Sequence, residues 1–236
     1  MKTFLQYLKI AVTASALCGL TAQADIVNGG FETGNTSGWS TLGNVGAATS
    51  VNFGVGTVNP YSGSYSALLN TNNISAGTLA AQMGISEGTL EASNGGINAT
   101  NGSLLYQTVA ATAGNSFQFN WNFVENDYVP FDDWAFYAIS YNGNPAVVTK
   151  FASLATVGPG SGTTIAGWQT LNVNIGTSGN YTFYFGVVNA LDQILDSYLF
   201  VDGVTSAAPG VPDSGSTVAL LGLVLVGFAA IRRKLS

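Results

Sequence analysis

Ser116-Phe117-Gln118-Phe119-Asn120-Trp121-Asn122-Phe123-Val124 alternates ring and amide without a break. Side chains on a strand point to opposite faces in turn, so this pattern puts one apolar face against a core and leaves the other polar. Tyr181 to Val188 repeats it with Tyr181, Phe183, Phe185 and Val187. Working outward, strands are predicted over Ile26 to Phe31, Ser64 to Leu69, Leu104 to Val109, Trp134 to Tyr141, Val147 to Leu154, Trp168 to Ile175 and Tyr198 to Val204. Asn142-Gly143 and Ser178-Gly179-Asn180 supply turns. Only Thr78 to Met83 and Ser86 to Ala92 read as helical, with Ser86 as N-cap of the second, inside an Asn- and Gly-rich stretch (70–102) that reads as an insertion on the surface. Short strands without helical crossovers predict an all-β fold, an antiparallel jelly-roll-like β-sandwich.

Composition agrees. Only 8% of the 236 residues are charged, against roughly a quarter in an ordinary soluble domain. Between Asp25 and Gly210, eleven carboxylates stand against Lys150 alone, a net charge of −10. Nucleic acid is excluded as a partner, because phosphate binding needs clustered Lys and Arg. Histidine is absent and Cys18 is the only cysteine, which removes Cys/His zinc sites, disulfides and His- or thiolate-based catalysis.

The ends carry addresses. Lys2 and Lys9, the apolar run Ile10 to Leu20 and Ala22-Gln23-Ala24 form a signal peptide over 1–24. A lipoprotein anchor at Cys18 is the alternative, disfavoured by bulky Leu17. Eleven apolar residues rise about 16 Å as a helix, too little for a hydrocarbon core of about 30 Å. After a β-sandwich domain (25–206) and a linker (207–210) come Val211-Pro212-Asp213-Ser214-Gly215, an uncharged stretch (216–231) and Arg232-Arg233-Lys234. That stretch reads as a short transmembrane helix, with the basic cluster as a membrane stop on the cytoplasmic side. The domain therefore faces away from the cytoplasm.

The tail resembles the PEP-CTERM sorting signals of Gram-negative bacteria, in the variant whose motif is VPDSG, here Val211 to Gly215. The resemblance implies export through the inner membrane with signal peptidase and exosortase as processing partners, transient membrane anchoring, and release to the cell surface or extracellular polymer. An ordinary C-terminal anchor is the competing reading. Asn28-Gly29-Gly30-Phe31-Glu32 with Gly38-Trp39, and the closing segment with Asp202, resemble carbohydrate-binding-module-like jelly rolls. That resemblance implies Glu32 and Asp202 as ligands of a structural calcium. The middle, from Asn101-Gly102-Ser103 to Ser140, is similar to a domain found ahead of PEP-CTERM tails.

Chemistry is left to the carboxylates. Antiparallel alternation brings the loops after Val124, Leu154 and Val188 to one end of the sandwich, grouping Glu125, Asp127, Asp132 and Asp133 with Asp192 and Asp196. Such crowding without cations calls for a hard divalent ion, so a second calcium is predicted there, with Glu125, Asp133, Asp192 and Asp196 as ligands. Solvated loop acids are the alternative. A glycosidase would need an acid pair about 5–9 Å apart, and no pair is distinguishable from a metal site. Among aromatics able to stack on sugars, Trp121 and Trp39 read as core, while Trp134 and Tyr128 flank the acidic loop and are the candidate ligand-binding residues. The expectation is an exported, non-enzymatic structural or adhesive protein of the envelope or extracellular matrix. A glycan-binding module for extracellular polysaccharide is the alternative.

Overall fold

The computed structural model describes residues 26–158 and 162–208. The segment expected to be a signal peptide (1–24), Cys18, the Val211 to Gly215 motif, the stretch expected to form a transmembrane helix (216–231) and the Arg232-Arg233-Lys234 cluster lie outside them. Among the described residues no helix is long and apolar enough to cross a membrane.

In chain order the elements are β1 (Ser40–Leu42), β2 (Val45–Ala48), β3 (Val51–Asn52), β4 (Thr57–Val58), β5 (Ser66–Asn70), β6 (Ile74–Ser75), α1 (Ala76–Gln82), α2 (Glu87–Ala92), β7 (Ala99–Ala111), β8 (Ser116–Glu125), β9 (Trp134–Tyr141), β10 (Val147–Ser153), α3 (Leu154–Val157), β11 (Thr164–Ile165), β12 (Gln169–Asn174), β13 (Gly179–Ala190) and β14 (Tyr198–Ala207). Two six-stranded sheets result. One runs β1-β7-β13-β9-β10 with β6 added beside β7; the other runs β11-β8-β14-β5-β2 with β12 also on β8. Every pairing among these strands is antiparallel.

The ring-and-amide alternation builds the core between the sheets. Phe119, Trp121 and Phe123 of β8 meet Leu105, Ala135, Phe185 and Val187 of the opposite sheet. Phe119 and Phe185 pack edge to face with ring centroids 4.8 Å apart. The polar face of β8 is not fully wet, however. Asn120 and Asn122 are buried, because the β3–β4 hairpin and its neighbours, Val51, Phe53 and Val58, pack over Val124 and Phe200 on that side.

The segment 70–102 differs from expectation in the same way. It is a roof rather than surface decoration: Ala76, Leu79, Ala80 and Met83 of α1 and Leu90 of α2 seal the outer face of the first sheet against Leu104, Trp134, Phe136, Ala138 and Tyr184. Ser75 and Ser86 cap the two helices, accepting from the Thr78 and Thr89 amides. Beneath the roof, Gly186 sits in register with Phe136, whose ring occupies the space a Cβ would need.

Ile26 to Phe31 is a correction. It forms turns, with Asn28 and Phe31 at positive φ (51° and 55°). Gly29 lies so close to the Val204 carbonyl that any Cβ would overlap it. The turn-forming Asn-Gly-Gly run outweighs the short apolar alternation. The last strand also reaches Ala207, the first residue assigned above to the linker.

Candidate functional site

Two acidic centres emerge. At the first, the opening turn brings Glu32 beside Asp202 of β14, which is fully buried. Glu32 Oε1 accepts from the Ser64 and Tyr65 amides at 3.0 and 3.1 Å. Asp202 Oδ2 accepts from the Ser62 amide at 2.9 Å and Oδ1 from Gly203 at 2.6 Å. The two carboxylates thus clamp the 61–65 loop between the start and the end of the domain. Burial pushes the Asp202 carboxyl above its ordinary range, with the Glu32 charge adding to the shift and the backbone donors opposing it.

The second centre is the end of the sandwich where β8 and β13 finish and β9 and β14 begin. Strand alternation groups its acids as predicted for Glu125, Asp127 and Asp133, all of them buried. Glu125 Oε1 accepts from the Asp127 amide at 2.9 Å and from Ser197 Oγ at 3.1 Å, while Oε2 has no partner. Asp127 Oδ1 accepts from the Tyr128 amide at 2.8 Å, and Oδ2 has no partner either. Asp133 Oδ1 accepts from the Ala190 amide at 2.8 Å. Desolvation, reinforced by the neighbouring carboxylates, pushes Glu125 up to about 7 and Asp133 up to about 9.

The other acids stand further out. Asp132 is half-buried and accepts from the Ala155 amide at 3.0 Å, fixing the first turn of α3. Asp192 and Asp196 are half-buried: Asp192 Oδ1 accepts from the Ile194 amide at 3.0 Å, and Asp196 Oδ1 from Thr71 Oγ1 at 3.4 Å. Lys150, the only cation among the described residues, bonds Asn94 at 2.6 Å and leaves both centres uncompensated. Among the described residues no group of three or more His, Cys, Asp or Glu side chains is placed to hold one metal ion. Any ion at either centre must therefore take most of its ligands from neutral oxygens.

The aromatic candidates separate. Trp134 is fully buried under α1 and α2, which corrects its assignment as a sugar-stacking ring: a saccharide cannot reach it. Trp134 opens β9 on the outer face, and only the helical roof makes that face interior. Tyr128 is 50% exposed and packs edge to face on Phe131. A second surface pair joins Trp168, a candidate by residue type, to Tyr61, which carried no signal of its own: Tyr61, 49% exposed, packs on half-buried Trp168, whose Nε1 donates to the Asn59 carbonyl at 2.9 Å. Trp121 and Trp39 are core, as expected.

Residues 210–235 match the VPDSG-CTERM motif. No curated protein matches the chain. Among solved structures the chain is similar to the carbohydrate-binding module TmCBM61, solved in complex with β-1,4-galactotriose, at 18% identity over 78% of this chain and 98% of that one, with a TM-score of 0.46. It is also similar to the K1 cleaved adhesin domain of Lys-gingipain from Porphyromonas gingivalis, at 16% identity over 77% and 96%, TM-score 0.40. A third is the CBM22-1 xylan-binding domain from Paenibacillus barcinonensis, at 13% identity over 80% and 99%, TM-score 0.41. At these identities the likeness is one of β-sandwich architecture.

Proposed function

We propose that this is an exported protein of the cell surface or extracellular matrix, structural or adhesive rather than enzymatic, and processed at both ends. In this reading signal peptidase removes residues 1–24, the C-terminal segment holds the chain transiently in the inner membrane, and an exosortase cuts near Val211 to Gly215. The VPDSG-CTERM match over 210–235 is the observation that carries it. The non-enzymatic part is supported by burial: Glu125 and Asp133, the neighbouring acids best tuned for proton transfer, are sealed from solvent, so no glycosidic bond fits between them. Mass spectrometry of the protein from its native cells tests the proposal. It should find a chain beginning at Asp25 and ending near the motif, and a mature form still carrying Arg232-Arg233-Lys234 in the membrane fraction overturns it.

A glycan-binding role is the second reading, favoured by exposed Tyr128 and by the Tyr61–Trp168 pair, since aromatic faces on the surface of a rigid sandwich suit stacking on sugar rings. Polysaccharide pull-down with Tyr128→Ala and Tyr61→Ala separates the two readings. Saturable binding lost in either variant favours the module, and no binding in the parent removes it. On either reading a structural calcium at Glu32 and Asp202 would pin the 61–65 loop.

A further inference from the structure

Two covers leave part of the second sheet bare. The β3–β4 hairpin and its neighbours pack over Val124 and Phe200 at one end of its outer face, and the 61–65 loop closes over Asp202 beside them. Towards the other end β12, β8 and β14 lie open. Register sets their side chains in rows: Asn172, Gln118 and Thr205 stand side by side, and Asn174 begins the next row opposite Ser116. Gln118, Asn172, Asn174 and Thr205 are all exposed. Side chains alternate along a strand, so this face lies opposite the core residues Phe117, Phe119, Leu171 and Val173. Thr170, also exposed, heads the rows and its hydroxyl donates to Asn120 Oδ1 at 2.7 Å. The amides of Gln118, Asn172 and Asn174 make no such bond among the described residues.

An aromatic shelf stands next to Thr170. Trp168 is pinned by the bond from its Nε1 to the Asn59 carbonyl at 2.9 Å, and Tyr61 packs edge-on against it with ring centroids 5.7 Å apart. Tyr61 lies beside Gly203 at the β14 bulge, where a Cβ would come 3.7 Å from its ring and 2.7 Å from Asn120 Nδ2. Rings held in this way lose little freedom when a ligand stacks on them. The extended stretch from Trp168 to Asn174 is about 20 Å long, room for several sugar units in line.

Charge narrows the ligand. None of these residues is ionisable apart from the Tyr61 phenol. Lys150 stands on the first sheet, bonded to Asn94, and the stretch from Asp25 to Gly210 carries a net charge of −10. An anionic polymer therefore meets repulsion and finds no ion-pair partner. Amides that both donate and accept suit the hydroxyls of a neutral sugar, and an aromatic face suits the C–H face of its ring.

We infer that Gln118, Asn172, Asn174 and Thr205, with the Tyr61–Trp168 shelf, form a binding face for an uncharged polysaccharide laid along β12. This rests on the glycan-binding reading above and adds the class of polymer and the position of the site. The site lies on the open sheet, whereas Tyr128 belongs to the loop beyond the far end of β8.

Pull-down with the full chain in detergent tests it, using polysaccharide from the native cells separated on an anion exchanger into uncharged and acidic fractions. The parent should bind the uncharged fraction saturably, and equally at low and high salt. Gln118→Ala and Asn172→Ala should each weaken binding about fivefold, and Tyr61→Ala about tenfold, with unchanged melting temperatures in the two amide variants. Thr108→Ala, exposed on the outer face of the first sheet, should bind as the parent does. Binding of the acidic fraction alone overturns the inference and leaves the glycan-binding reading standing. Binding that is lost in Tyr128→Ala but complete in Gln118→Ala and Asn172→Ala does the same. A parent that binds neither fraction removes that reading, and this inference with it.

Discussion

Replacing Trp134 by alanine tests whether the helical roof is part of the core. The ring is fully buried between β9 and the helices, against Leu79, Met83 and Leu90. Truncating a buried aromatic to alanine costs about 3–5 kcal/mol in lost transfer energy and residual cavity. Over a domain of roughly 180 residues, with an unfolding entropy of about 2 cal/mol/K per residue, that lowers the melting temperature by about 10 °C. Trp134 Nε1 has no hydrogen-bond partner, so Trp134→Phe discards an unsatisfied donor along with part of the ring. Its net cost should be only about 1 kcal/mol. Circular dichroism melts of the parent and both variants, with acrylamide quenching of tryptophan fluorescence, measure this. A Trp134→Ala protein melting within about 2 °C of the parent, or a phenylalanine variant as unstable as the alanine one, would refute the buried placement. Polysaccharide binding lost in Trp134→Phe with an unchanged melt would do the same.

Other consequences are as direct. Burial holds Glu125 at about 7 and Asp133 at about 9, above their ordinary 4.5 and 3.8; the folded state therefore binds these protons more tightly than the unfolded chain. Stability in EDTA is greatest below about pH 4 as far as these groups decide it and falls as pH rises towards 9; melts at pH 5, 7 and 9 that are flat or rise would contradict it. Glu32→Gln removes a charged acceptor of the Ser64 and Tyr65 amides, so amide hydrogen exchange should accelerate at these two positions at a stability cost of about 1 kcal/mol, with exchange elsewhere unchanged. Gly186→Ala forces the Phe136 ring aside and should cost about 1–3 kcal/mol. A double-mutant cycle with Phe136→Leu should recover part of that loss, and strict additivity would show that the ring does not cover this glycine.

How much the sequence disclosed depended on which force left a trace in it. Phe117, Phe119, Trp121 and Phe123 announce a strand because burial of every second side chain writes itself as alternation, and the grouping of Glu125, Asp127 and Asp133 at one end follows from strand direction alone. Trp134 misleads because alternation reports faces, and which face is solvent depends on a roof contributed by residues 76–92, well upstream in the chain. Thr78 to Met83 reads as helical, yet nothing local in Leu79 or Met83 states which sheet they cover.

The position of β14 bears on how the molecule is made. It lies between β8 and β5, pairing with both, although it is the last strand among the described residues and ends at Ala207, three residues short of the VPDSG-CTERM match. A chain made from its N-terminus cannot close that sheet until this keystone strand is available, so β8 and β5 stay unjoined until residues 198–207 arrive. A cut beyond Ala207 would leave every strand of both sheets within one piece.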